Sequence, residues 1–321
     1  MNQGWIYRDR VELADAGQTV LAYYSKNYRH SSEIQWLDRI TKGRVLLNGQ
    51  PVSTATVLKT KDRLVYHRQP WNEPEVPLEF VVLYEDRDLL VINKPSGLPI
   101  LPGGGFLEHT LLWQLKQRYR DRTPVPVHRL GRGTSGLLLL ARSQLAKSDL
   151  ARQMRDSTLK ENKSQINKVY RVLVAGNYQM RDRFTIDCPI GKIPHPVLGY
   201  IYGATPKGKY ARSECQLIKR YRNCTLLEVK IFTGRPHQIR IHLAAVGYPL
   251  LGDPLYVTGG SFAEIPPGSE QIPVPGDCGY FLHAYRLSFT HPQTLKQMNF
   301  ECPTPQKWQV ISFKKCLNIC T

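Results

Sequence analysis

The apolar and polar positions of this chain divide it into a short front section and a long body. Between residues 18 and 42 apolar side chains recur at helical spacing twice. Val20, Leu21, Tyr24 and Tyr28 form one stripe and Ile34, Leu37 and Ile40 a second, which predicts two short helices. Arg44–Val52 follows as strand, turn and strand around Asn48-Gly49, a pair suited to a tight hairpin, and Arg63–Arg68 adds a further strand. Gln69–Pro77 carries three prolines and reads as a stiffened linker. Beyond it, 79–84 and 88–93 predict strands, and 110–119 a helix with Leu111, Leu112 and Leu115 inward. The uninterrupted run 136–141 predicts a strand buried on both faces, and 145–154 a helix. Residues 168–175 and 225–232 predict two more strands, and 263–279, rich in proline and glycine, a surface loop. The pattern predicts five parts: an N-terminal extension (1–15), a compact helix-and-hairpin module (16–68), a linker (69–78), one large body (79–300) and a C-terminal extension (301–321). No segment repeats another.

Charge narrows the class of partner. The chain has 321 residues, with 44 Lys+Arg against 26 Asp+Glu, a net charge of +18. That excess attracts phosphate backbones, and charge alone fits an anionic membrane equally well. A hydrophobic content of 41% is ordinary, which excludes a disordered chain. The seven cysteines form no C-x-x-C and no zinc-finger spacing, so free thiols in a reducing compartment are expected, and no metal. The opening residues lack a charged-then-apolar leader, and no apolar run approaches the roughly 20 residues that span a bilayer. A cytoplasmic monomer without a membrane partner is the expectation.

Two constellations carry candidate chemistry. Val127-His-Arg-Leu-Gly-Arg-Gly-Thr-Ser-Gly136 is a polar loop that runs directly into the apolar strand. Loops at the ends of buried strands often hold functional groups, and Arg129 and Arg132 offer planar donor forks for phosphate or a base edge. The plainer alternative is a basic turn made easy by glycines. Thr233-Gly-Arg-Pro-His-Gln-Ile-Arg-Ile-His-Leu-Ala-Ala-Val-Gly247 reads as a helix with Pro236 in its first turn and Gly247 at its stop. Ile239, Leu243 and Val246 make its core stripe. Arg235, at the strand–helix junction, is the better functional candidate, and Arg240 is expected on a solvated face. His237 and His242 lie about 140° apart around a helix and cannot share a metal. Tyr170, on a predicted strand, is either half-buried packing or a ring aimed into a cleft.

Together these segments resemble the RluA-type pseudouridine synthases over roughly residues 79–292. Lys94-Pro-Ser-Gly97 resembles the family's first motif. His128–Gly136 resembles its catalytic His-Arg-Leu-Asp-x-x-Thr-Ser-Gly motif. Thr233–Arg240 with Gly247–Tyr256, and then His283–Pro292, resemble its later motifs. The front module resembles an S4 RNA-binding domain, through Gly43-Arg44-Val-Leu-Leu-Asn-Gly49, without that domain's usual opening Arg-Leu-Asp. The resemblance implies an α+β fold, a mixed, mostly antiparallel central sheet with flanking helices, plus the S4-like module. It implies isomerisation of uridine in ribosomal or transfer RNA without metal or organic cofactor. It also implies that the target base leaves its stack. By the same resemblance Arg129 helps hold the flipped state, Tyr170 packs on the target base and assists proton removal, and Arg235 pairs with the catalytic aspartate. Lys94, Arg132, Thr134, Ser135, Arg240 and Arg44 are the further expected RNA contacts.

Gly131 departs from the pattern. It aligns with the family's aspartate, the nucleophile or general base, and glycine is neither. Gly133 likewise replaces a residue that is often acidic. A buried Arg235 would then lack its partner, with Glu228 and Asp253 the nearest carboxylates in sequence. Three functions follow: a synthase whose carboxylate is supplied elsewhere, an RNA-binding protein that kept the fold, or a basic scaffold for an acidic partner. The motif set disfavours the third.

Overall fold

The segment expected as an N-terminal extension is an edge strand. In the computed structural model β1 (Trp5–Arg10) pairs antiparallel with β4 (Arg63–Arg68), Trp5 opposite Arg68 and Arg10 opposite Arg63. The structure describes residues 1–28, 30–159, 166–176, 179–260, 262–263, 272–306 and 308, and divides into two units, Met1–Glu73 and Pro74–Thr321.

In the first unit two helices cover a four-stranded sheet of order β1-β4-β2-β3. The strands β2 (Val45–Leu47) and β3 (Gln50–Pro51) flank Asn48 and Gly49, both at positive φ (52° and 86°), the backbone that an Asn-Gly hairpin supplies at low cost. Thr19 caps α1 (Val20–Asn27), and a Ser32–Gln35 capping box starts α2 (Glu33–Thr41). The inward face of α2 is Trp36 and Ile40. Ile34, expected inside, is 77% exposed, and Leu37 is exposed as well. Trp36 and Ile40 stand one turn apart, and the large indole with Ile40 below it sets the helix phase. The expected linker divides between the units. The Asn2 carboxamide donates to Glu73 and accepts the Trp71 amide, while the Pro74 carbonyl hydrogen-bonds the His109 ring within the second unit.

The second unit is built on a ten-stranded sheet. Its strands are β5 (Val81–Glu85), β6 (Leu89–Lys94), β7 (Val125–Pro126), β8 (Ser135–Ala141), β9 (Asn167–Ala175), β10 (Arg183–Asp187), β13 (Arg212–Arg220), β14 (Cys224–Ile231), β15 (Leu282–Thr290) and β16 (Gln297–Glu301). The path runs β10-β13-β14-β9-β15-β8-β6-β5, with β7 on β8 and β16 on β15. All its pairings are antiparallel except β15 with β8, so the sheet is mixed and mostly antiparallel. A separate hairpin joins β11 (Ile190–His195) to β12 (Gly199–Ala204). Among the described residues three helices, α3 (Leu111–Arg118), α4 (Gln144–Leu159) and α5 (Gln238–Ala245), accompany the sheet. Every residue of β8 is buried, as an unbroken Leu run in an interior strand demands. On α3, Leu111 and Leu115 are fully buried and Leu112 only partly. Residues 264–271 of the predicted loop and most of the C-terminal extension lie outside the described residues. No helix among the described residues is long and apolar enough to cross a membrane.

Candidate active site

The loop between β7 and β8 is braced from below. Lys94, fully buried at the end of β6, donates through Nζ to the carbonyls of Pro95, Leu98 and Arg132 at 2.8, 2.9 and 3.2 Å. Burial pushes its pKa down to about 7, and three carbonyl oxygens match the three donors of an ammonium. The Ser96 hydroxyl donates to the Gly133 carbonyl (2.7 Å) and the Gly97 amide to that of Arg132 (2.8 Å). Lys94, expected to touch RNA, is therefore sealed beneath the loop that it holds. Ser135 is likewise internal: its hydroxyl and His283 Nδ1 share a hydrogen bond of 2.9 Å, and His283 Nε2 meets the Cys302 carbonyl. Gly136 sits at φ 101°, where a Cβ would lie 2.3 Å from the Ala284 oxygen, so only glycine lets β8 enter beside β15.

Of the loop arginines, Arg129 is exposed and Arg132 is occupied. Arg132 donates to the Gly276 carbonyl (2.8 Å), lies near Asp277 and covers the Phe106 ring. His128 accepts the Leu139 amide, and desolvation pushes its pKa to about 3, so its ring is neutral. Arg44 lies in the first unit, half-buried at the start of the hairpin.

At Gly131 the space for a side chain is already filled. A Cβ there would stand 2.7 Å from the Tyr280 hydroxyl and 3.4 Å from Thr134 Oγ1. At Gly133 it would stand 2.9 and 3.0 Å from ring carbons of Tyr280. Tyr280 is buried, and its hydroxyl lies 3.4 Å from Thr134 Oγ1. The two glycines and the tyrosine thus form one fitted set, and a carboxylate cannot be added at 131 without moving the phenol. Burial raises the Tyr280 pKa, partly offset by the Arg240 charge, so the phenol stays protonated at neutral pH.

The two arginines flanking the start of α5 exchange the roles expected of them. Arg240, expected on a solvated face, is 2% exposed. Its Nε and Nη2 bind both oxygens of Asp253 at 2.7 and 2.8 Å, and Nη1 donates to the Pro275 carbonyl (2.9 Å). Its guanidinium lies 4.3 Å from the centre of the Tyr280 ring and 4.9 Å from that of Tyr256. Arg235, expected to be the cation orphaned by Gly131, is only partly buried and donates through Nε to the Tyr210 carbonyl (2.8 Å). The cation tied to Gly131 through Tyr280 is Arg240, and Asp253 neutralises it. Asp253 also accepts the Leu255 and Tyr256 amides, so it serves its turn and the arginine together. Helix α5 starts after His237, which is left-handed at φ 53°. Gln238 fastens that start by accepting from the Thr233 hydroxyl (2.7 Å) and donating to the Arg212 carbonyl (2.9 Å). Val246, expected in the core, is 40% exposed.

Tyr170 lies in β9 opposite Val229 of β14 and Ala284 of β15, the same Ala284 against which Gly136 closes. It is buried, and desolvation pushes its hydroxyl up to about 12. Glu228 is no substitute carboxylate for this face. It binds Arg171 and Arg286 at 2.9 and 2.7 Å, and Arg171, next to Tyr170 in the strand, points to the opposite side. Among the described residues no group of His, Cys, Asp and Glu could hold a metal ion.

Tyr280, Asp253 and Gln238 are the site residues that sequence reading missed or set aside. The only sequence signal for Tyr280 is the paired loss of side chains at 131 and 133.

Comparison with known proteins places this geometry. The RNA pseudouridylate synthase family profile matches residues 88–245. An uncharacterised RNA pseudouridine synthase of Synechocystis is 46% identical over 89% of this chain and 94% of its own length. RNA pseudouridine synthase 5 of rice is 40% identical over 95% and 88%. The ribosomal large subunit pseudouridine synthase D of Pseudomonas aeruginosa is 34% identical over 83% and 82%. Among solved structures, human RNA pseudouridylate synthase domain containing 1 shares the fold with a TM-score of 0.55, 23% identity, and coverage of 73% of this chain and 87% of its own.

Proposed function

The chain belongs to the RNA pseudouridylate synthase family, and on that footing we propose that it isomerises uridine to pseudouridine in a structured ribosomal or transfer RNA. In that reaction the C1′–N1 bond breaks, the base turns, a C1′–C5 bond forms, the C5 proton is lost and N1 takes up a proton, so the product is an isomer of the substrate. The observation that carries the reading is the retained frame. Loop 128–136 is braced by Lys94 and Ser96, it leaves Arg129 free to reach an RNA strand, and its Gly136 closes on the residue opposite Tyr170. The Tyr280 hydroxyl, in the space a carboxylate at 131 would need, is the group assigned to meet the reacting nucleoside. As a protonated phenol it donates a hydrogen bond there. Charge supports RNA as the partner. The front unit, S4-like in its hairpin, supplies a second surface for it.

A second reading rests on one observation: Arg240 already has a carboxylate and the carboxylate's space holds a phenol. A site so closed binds RNA without isomerising it. One experiment separates the two. Ribosomal and transfer RNA from cells lacking the protein is incubated with it and mapped for pseudouridine by carbodiimide primer extension. A new stop that vanishes in Tyr170→Phe and Tyr280→Phe supports isomerisation. No product at stoichiometric protein, with salt-sensitive binding retained, establishes the binder.

A further inference from the structure

The first unit contains a cavity that abuts its own aromatic core. It measures about 210 Å³ and is walled by aromatic rings, chiefly Tyr24, Tyr28, His30, Trp36 and Tyr66. The rings form a continuous cluster: Tyr24 and Trp36 lie 4.6 Å apart, Trp36 and Tyr66 5.1 Å, and His30 and Trp36 6.0 Å. Two cations also line it, Arg39 and Arg68. The Arg39 guanidinium rests 4.5 Å above the Trp36 ring. Asp9 is the single carboxylate of the wall and takes a hydrogen bond from Tyr28.

The wall contains an unspent polar group. The Tyr24 hydroxyl is buried and has no hydrogen-bond partner. An orphaned buried hydroxyl is costly, by an amount comparable to a lost hydrogen bond, and such groups persist where a ligand completes them. A cavity with aromatic faces, one carboxylate and two flanking guanidiniums selects a flat, π-faced ligand attached to an anionic chain. Its volume is below the roughly 300–1,000 Å³ of drug-sized sites, which suits one planar ring rather than several. Aromatic walls take unstacked bases in this way, each stacked base being a sizeable share of single-strand affinity.

We propose that this cavity receives one unstacked base of a single-stranded RNA segment, stacked against the accessible rings of Tyr28 and His30 at the edge of the cluster, with the Tyr24 hydroxyl beneath it and Arg39 and Arg68 meeting the flanking phosphates. The proposal rests on RNA being the partner, but it does not require the second unit to isomerise anything. His30 is an accessible ring of the wall, and burial together with the charges of Arg39 and Arg68 lowers its pKa, which leaves it neutral for stacking.

The test uses the full chain and a single-stranded heptaribonucleotide with 5-iodouridine at its centre, photo-crosslinked and mapped by peptide mass spectrometry. Adducts on Tyr28, His30 or Trp36 support the site. Adducts confined to the second unit overturn it. Tyr24→Phe separates a ligand contact from packing, because it removes the orphaned hydroxyl and keeps the ring. The expected result is a melting temperature equal to or above the parent's, with heptamer binding weakened about three- to tenfold. An unchanged affinity in both Tyr24→Phe and His30→Ala overturns the proposal. Pseudouridine formation, scored separately on the same variants with structured RNA, reports on the second unit alone, so failure of either reading is visible by itself.

Discussion

The loop site around Gly131 in the second unit and the cavity of the first differ in how completely their polar groups are spent. Around Gly131 nearly every strong group is paired. Lys94 has three carbonyls, Arg240 has both oxygens of Asp253 and a carbonyl, and Arg132 has a carbonyl with Asp277 beside it. In the front cavity Tyr24 keeps an unpartnered hydroxyl among rings that range from buried (Trp36, Tyr66) to exposed (His30). Saturated groups hold structure, whereas a buried hydroxyl without a partner that borders a cavity is open to a ligand. The difference shows that the two glycines at 131 and 133 leave no hole. The neighbourhood of residue 131 is filled and neutralised from other parts of the chain.

That contrast can be broken first at its strongest bond. Asp253→Ala strands a buried guanidinium and should cost about 3–5 kcal/mol in urea unfolding, whereas a surface pair would cost almost nothing. A loss below about 1 kcal/mol would mean that Arg240 is not sealed as described.

Next is the fit of the loop. Gly131→Ala should destabilise by about 1–3 kcal/mol, because its Cβ meets the Tyr280 hydroxyl, and Tyr280→Phe in the same chain should recover most of that loss. Gly133→Ala meets ring carbons instead, so Tyr280→Phe should leave its cost in place. Equal recovery at both positions would refute the geometry. The same cycle predicts that Gly131→Asp alone folds poorly, and that a restored carboxylate needs Tyr280→Phe beside it before pseudouridine can be scored.

Protonation gives a weaker lever. Desolvation pushes His128 from 6.5 to about 3 and His237 from 6.5 to about 4. Between those values and 6.5 the unfolded chain binds more protons than the native one, so stability falls as pH drops through that window and levels off below it. His128→Gln should flatten the dependence of the urea midpoint between about pH 6.5 and 3, and an unaltered profile would place the acid sensitivity elsewhere. The smallest effect is expected at Arg235, whose partner is one exposed carbonyl. Arg235→Ala should shift unfolding by no more than about 0.5 kcal/mol in the same assay.

Local pattern determined a good deal of this molecule. The two front helices, the Asn48-Gly49 hairpin and the all-buried strand at 135–141 follow from spacing or backbone preference within a few residues, whereas the departure at Gly131 is visible only through the resemblance of its motif to a family pattern. Where local signals conflicted or were absent, tertiary structure decided. Trp36 overrode the aliphatic stripe of α2, and β1, mostly exposed and without alternating burial, is a strand because β4 offers it an edge to pair with. The site was decided almost wholly in three dimensions. Which of Arg235 and Arg240 is buried depends on how α5 lies against the Asp253 turn, and nothing within the Thr233–Arg240 motif distinguishes them. That Tyr280 fills the space at Gly131 depends on β15 lying parallel to β8. Sequence records which side chain is missing, since that is a property of one position. What replaces it depends on volume and charge brought together across the fold, and packing alone sets those.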